Sequence, residues 1–181
     1  MPSKKDRLYV TLYARGGAAT MPGGEDAYHW ALIVGPKDEG KNEKGKCYHA
    51  KTIFDGSGRS QWEFEKRNVY LAPTINNLLL TRVLVAKVAN IERLDDVVHG
   101  IPVQQGNPGW NCVSWVQEAL QALKEDGKAL GTSIVDWKDV RDAAMSYVQR
   151  KMDDHRFDGK GKFDIRKAPT FDLIKGIETV L

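Results

Sequence analysis

Two histidines and one cysteine are the side chains of this sequence best suited to chemistry. His29 and His49 lie in short hydrophobic, strand-like runs, and Cys112 stands in Asn111-Cys112-Val113-Ser114-Trp115, where a helical pattern begins. A thiol in the first turn of a helix faces unpaired backbone N–H groups and the positive end of aligned peptide dipoles, which favour a thiolate. An imidazole on a rigid strand can accept the proton, and a second imidazole can orient the first. Such a set supports nucleophilic attack on a carbonyl carbon, with His29 as base and His49 as its orienter. Asn111 is the expected N-cap. Gln104 and Gln105, in the preceding loop, are candidate donors to an oxyanion. Trp30, Trp110, Asn111 and Trp115 are candidate walls of a substrate groove.

The same residues admit a plain structural reading. Cys112 falls on an apolar stripe with Trp115, Val116 and Ala119, and buried free cysteines are common. His29 is flanked by aromatic and apolar side chains, as a core histidine bonded to backbone would be. His49 beside Lys51 fits a partly solvated strand position. Cys47 and His49 carry no paired Cys-x-x-Cys unit, so neither a metal nor a cofactor is expected. The glycine pairs at 16–17 and 23–24 do not sit between a strand and a helix, so they make no phosphate cradle.

The elements that must position these groups follow from periodicity. Arg7–Ala14, Tyr28–Gly35, Cys47–Phe54, Trp62–Tyr70 and Leu78–Val88 read as strands, rich in β-branched and aromatic residues and bounded by Gly, Pro and Asp. After residue 91 the period changes. Ile91, Leu94, Val97 and Val98 fit a short helix closed by Gly100. Cys112, Trp115, Val116, Ala119, Leu120 and Leu123 line one face of a helix reaching about Lys124. Ser133 with Asp136 resembles a capping box for a third helix, striped by Trp137, Val140, Ala144, Tyr147 and Val148. Residues 153–181 show no sustained period and read as an arm wrapping the core, anchored by Phe157, Phe163, Phe171 and Leu173. Strands first and helices later predict one α+β domain over residues 1–181, with an antiparallel sheet of about five strands against two or three helices.

Composition narrows the classes. With 181 residues, 41% hydrophobic and 28% charged, the chain fits a globular domain with a single core. The net charge of +3 is scattered and no basic face alternates with aromatics, so nucleic-acid binding is not expected. No apolar run approaches the roughly 20 residues of a membrane span, and the lysine-rich start lacks a signal peptide's hydrophobic segment. Two cysteines argue against a disulfide scaffold and for the cytoplasm or nucleus.

The order of His29 on a central strand, His49 on its neighbour and Asn111-Cys112 at a later helix start resembles the permuted papain-fold group. That group includes the lecithin:retinol acyltransferase-like enzymes and the PPPDE-type isopeptidases. Its His-x-Gly-hydrophobic motif is matched by His29-Trp30-Ala31-Leu32-Ile33-Val34, with Ala31 in the glycine's slot. Its Asn-Cys dipeptide is matched by Asn111-Cys112, without the His or Glu-His that follows the cysteine in many members. The resemblance spans about residues 28–125. It implies a permuted papain-like fold and a cysteine hydrolase or acyltransferase (a thiol protease, isopeptidase or thiol hydrolase) acting on a peptide, a modifier protein or an acyl substrate. The rival expectation is a non-catalytic binding module on the same scaffold. The chain as a whole also resembles fungal proteins with no assigned activity, which share segments like Tyr28–Lys37, Gly109–Trp115 and His155–Gly159.

Overall fold

The computed structural model describes residues 4–40, 42–74 and 77–181. Five strands come first: β1 (Arg7–Ala14), β2 (Tyr28–Gly35), β3 (Lys44–Phe54), β4 (Ser60–Tyr70) and β5 (Leu79–Val88). A single 3-10 turn, Glu25–Ala27, leads into β2. Helices α1 (Ile91–His99), α2 (Cys112–Asp126) and α3 (Trp137–Asp153) follow. Three short strands complete the sheet: β6 (Leu130–Ser133), β7 (Thr170–Asp172) and β8 (Ile177–Val180).

The sheet therefore has eight strands among the described residues, against about five expected, in the order β4-β3-β2-β1-β5-β7-β8, with β6 also pairing with β5. Every pairing is antiparallel except β5 with β7. The architecture is α+β, as the sequence predicts. The extra strands come from segments too short to show a period. Each hydrogen-bonds to an edge that would otherwise leave backbone groups unpaired. Ser133 belongs to β6, opposite Ala86, and does not cap α3. Asp136 holds the N-cap position without a side-chain cap bond, its carboxylate engaged by Lys124. Within residues 153–181, expected to lack regular structure, Thr170–Asp172 and Ile177–Val180 form a strand pair joined to β5.

Alternation along the strands divides the sheet into two faces. Leu8, Val10, Leu12, Trp30, Leu32, Val34, Tyr48 and Ala50 point to the helices and form one core with Trp115, Val116, Ala119, Leu120 and Leu123 of α2. Each such fully buried large apolar side chain contributes about 1.5–3 kcal/mol. The opposite face carries a smaller cluster of Tyr13, Ala31, Ile33, Cys47, Leu71, Leu79 and Ala168. At Gly45 a Cβ would stand 2.5 Å from the Val34 carbonyl oxygen, so only glycine lets β3 approach β2 there. α2 ends at Gly127, whose φ of 63° closes the helix with a bond to the Leu123 carbonyl.

The C-terminal strands are fastened to α3. Buried Lys151 pairs with Glu178 at 2.7 Å, and the Tyr147 hydroxyl donates to the Val180 carbonyl at 3.1 Å. Removing one partner of a buried ion pair strands the other charge. Lys151→Ala should cost about 3 kcal/mol in urea denaturation and expose residues 173–181 to limited proteolysis. Unchanged stability together with an unchanged cleavage pattern would show that β8 is held by its strand pairing alone.

Candidate functional site

A hydrogen-bonded chain of three side chains runs along the sheet face away from the helices. Glu65 on β4 and His49 on β3 are direct cross-strand partners. The β2–β3 register pairs Ile33 with Cys47. Continued along the strands, it sets His49 opposite Ala31 and makes His29 its diagonal neighbour, within reach of a ring. His29 Nε2 lies 2.7 Å from His49 Nδ1, and His49 Nε2 lies 2.7 Å from Glu65 Oε2. The two rings meet edge-on, centroids 4.9 Å apart at 76°. Lys51 holds the other Glu65 oxygen at 2.8 Å, and Arg67 Nε stands 3.6 Å from Oε2. Buried Ala31 contributes no bulk between the rings. Tyr13, His29, Cys47, His49, Arg67 and Asn77 border a cavity of about 190 Å³ on this face.

Burial sets the charge of the chain. It pushes His29 down from 6.5 to about 3, helped by the neighbouring charges of His49, Arg15 and Arg67. Burial also lowers His49, against the opposing pull of the Glu65 hydrogen bond and charge. For Glu65 burial acts upward, but hydrogen bonds from Lys51 and His49 outweigh it and hold the carboxyl below its ordinary value. At neutral pH the chain is an ionised carboxylate followed by two neutral imidazoles.

Cys112 begins α2 as the sequence predicts. Asn111 caps the helix, its Oδ1 accepting from Val113 N at 2.9 Å and Ser114 N at 3.3 Å, while Ser114 Oγ accepts from the Asn111 amide. The sulfur lies in the helix-side core, where the backbone amide of Trp30, one residue beyond His29, favours its thiolate form. Two expectations for this thiol do not hold. It is 1% exposed and lines neither the 190 Å³ cavity beside the histidines nor the 600 Å³ cavity on the outer side of α2. Nor is it a thiolate at rest: burial raises its pKa, outweighing the amides of Trp30, Val113 and Cys112 and the charge of Arg15. Among the described residues no hydrogen bond joins the sulfur to His29, whose side chain leaves β2 on the face opposite Trp30.

The other candidates are placed as follows. Gln105 is pinned to β4, accepting from Trp62 N at 2.9 Å and donating to Trp62 O at 2.6 Å, so its amide does not serve the sulfur. Gln104 donates to Glu118 and accepts from Asn107. Trp30 and Trp115 are wholly buried core residues and line no groove, because their large apolar faces gain more from the sheet–helix interface than from solvent. Trp110 does border a cavity, of about 600 Å³, on the outer side of α2 with Gln104, Ser114, Glu118 and Glu125. Cys47 is a buried thiol pushed up to about 11 by burial. Glu65 and Arg67 do not stand out in the sequence, although the hairpin carries a signal for Glu65. A turn centred on residue 57 sets His49 opposite Glu65, since the strand positions sum to a constant across a hairpin.

Among the described residues no cluster of three or more His, Cys, Asp or Glu side chains is arranged to hold a metal ion, and no helix is long and apolar enough to cross a membrane. A family model matches residues 5–180. The chain belongs to DUF6914, a family of unknown function. No curated protein and no solved structure matches this DUF6914 chain.

The depressed pKa of His29 fixes a pH dependence of stability. Above pH 6.5 both folded and unfolded chains hold this ring neutral, and its contribution is complete. As the pH falls from 6.5 toward 3 the unfolded chain takes up a proton that the folded one refuses, and stability declines. His49 acts in the same direction. His29→Asn should therefore flatten the loss of stability between about pH 7 and pH 5, followed by urea denaturation at each pH. A slope equal to wild type would place the ring in solvent.

Proposed function

We propose that this protein is a cysteine-dependent acyl-transfer enzyme with a permuted papain-like arrangement. Cys112 is its nucleophile, His29 its base and His49 the orienter of that base. One observation carries the reading. His29 is already oriented by His49 and Glu65 through two bonds of 2.7 Å, and the helix-start thiol abuts the peptide amide immediately after it. The order of the three residues along the chain and the Asn111 cap agree with the permuted papain-fold resemblance.

The resting state is a thiol and a neutral imidazole on opposite faces of β2. The reaction therefore also requires a movement of the start of β2 that brings His29 Nδ1 to the sulfur, and the proton moves as the substrate reacts. His29 takes the proton from Cys112, and the sulfur attacks the carbonyl carbon of an ester, thioester, amide or isopeptide. Charge on the resulting oxyanion is met by the backbone N–H of Cys112, since Asn111 Oδ1 already holds those of Val113 and Ser114. His29 returns the proton to the departing alcohol, thiol or amine, leaving an acyl thioester on Cys112. Water or another acceptor then gives its proton to His29, attacks the thioester carbonyl and restores the thiol. Substrate entry requires a shift of the 15–24 loop, where Met21 packs on the core and its sulfur accepts from Asn111 Nδ2 at 3.5 Å.

A second reading, a binding module without chemistry, is favoured by the near-complete burial of the Cys112 sulfur. The two readings separate with thioester and peptide-ester probes followed by mass spectrometry of the intact chain. Wild type and Cys47→Ser should form an acyl adduct and Cys112→Ala none, and His29→Gln should slow acylation about 10²–10⁴-fold. Absence of any adduct on Cys112, or equal labelling of Cys112→Ala, would leave the binding module.

A further inference from the structure

We infer that Glu65 is a positioning residue whose carboxylate fixes the proton of both histidines on Nε2 and keeps His29 Nδ1 open as the lone-pair nitrogen. This deepens the acyl-transfer reading and rests on it for its catalytic meaning, although the proton pattern itself can be tested without any substrate.

Hydrogen-bond accounting leads to this assignment. An ionised carboxylate only accepts, so the 2.7 Å contact between Glu65 Oε2 and His49 Nε2 requires a proton on that nitrogen. A neutral imidazole carries one N–H, so Nδ1 of His49 is left as an acceptor. The 2.7 Å contact from that nitrogen to His29 Nε2 then requires the His29 proton to sit on Nε2. His29 Nδ1 is what remains, a bare lone pair with no hydrogen-bond partner among the described residues. A base needs such a nitrogen, and the wrong tautomer would offer an N–H to the thiol instead.

The surroundings stabilise the carboxylate that starts this sequence. Lys51 bonds Oε1 and Arg67 approaches Oε2, so Glu65 stays ionised and immobile. When His29 becomes imidazolium during catalysis, the negative charge two bonds away stabilises it through His49. A neutral amide in its place would offer both a donor and an acceptor, and His49 could then adopt either tautomer.

The test is long-range ¹⁵N–¹H correlation NMR on the full chain with ¹⁵N-labelled histidine. The sequence has four histidines, and each His→Gln variant assigns its own signal. At neutral pH His29 and His49 should both show the Nε2–H pattern in wild type and in Cys112→Ala. Glu65→Gln should turn His49 into a mixture of tautomers and slow probe acylation at least tenfold, with Glu65→Asp recovering part of the rate. An Nδ1–H pattern at either ring in wild type overturns the inference even if Glu65→Gln fails to fold, as does an unmixed Nε2–H pattern in Glu65→Gln. Nε2–H rings beside an inert Cys112 would support the inference while defeating the proposed function, so the two fail separately.

Discussion

Side chains alternate across a strand, so a slip of one residue between β3 and β4 would carry Glu65 to the helix side of the sheet and leave His49 without its carboxylate. The register that prevents this is fixed at both ends of the hairpin. At the turn, Asp55 Oδ1 accepts from Ser57 N at 2.8 Å and Arg59 N at 2.9 Å, and Gly58 takes a φ of 79°. Along the strand, Trp62 packs edge-on against Trp110 and Phe64 stacks near Trp115. Apolar burial on one face thus determines which polar groups meet on the other. Gln105 adds to this by bonding both backbone groups of Trp62, tying the loop before Cys112 to the edge strand.

Burial acts on the site in two opposing ways. It removes water from the two imidazoles and keeps them neutral, the state a base requires. It also raises the thiol, which the start of α2 would otherwise help to ionise. The balance falls on the side of a protonated sulfur because desolvation penalises the thiolate more than a few amide dipoles and one arginine favour it. In the proposed mechanism ionisation is coupled to attack, and the His49–Glu65 pair stabilises the charge that appears on His29.

The sequence identifies His29, His49 and Cys112 because a polar ring in an apolar strand and a thiol behind an Asn cap both depart from local pattern. Asn111 performs the capping role that its type predicts, and α1 and α2 lie where their apolar stripes set them. Glu65 had no such prominence, being one charged residue among several on a strand with weak alternation. Trp30, Trp110 and Trp115 show the converse limit. Large aromatic residues near a candidate nucleophile suit a groove and a core equally, and in this fold Trp30 and Trp115 belong to the core.

Local sequence determined what interactions within a few residues can determine: the α+β class, the first five strands, the three apolar helical stripes, the cap before Cys112 and the candidate ring-and-thiol set. Tertiary structure alone decided the rest. Short β6, β7 and β8 form because β5 and the C-terminal segment offer each other hydrogen-bond partners, which no period within either segment encodes. The face on which each histidine stands, the carboxylate that receives its proton and the depth of the Cys112 sulfur follow from strand register and packing. Those depend on residues far apart in the chain meeting across a sheet, and a charge or a thiol takes its protonation state from such neighbours and not from its place in the sequence.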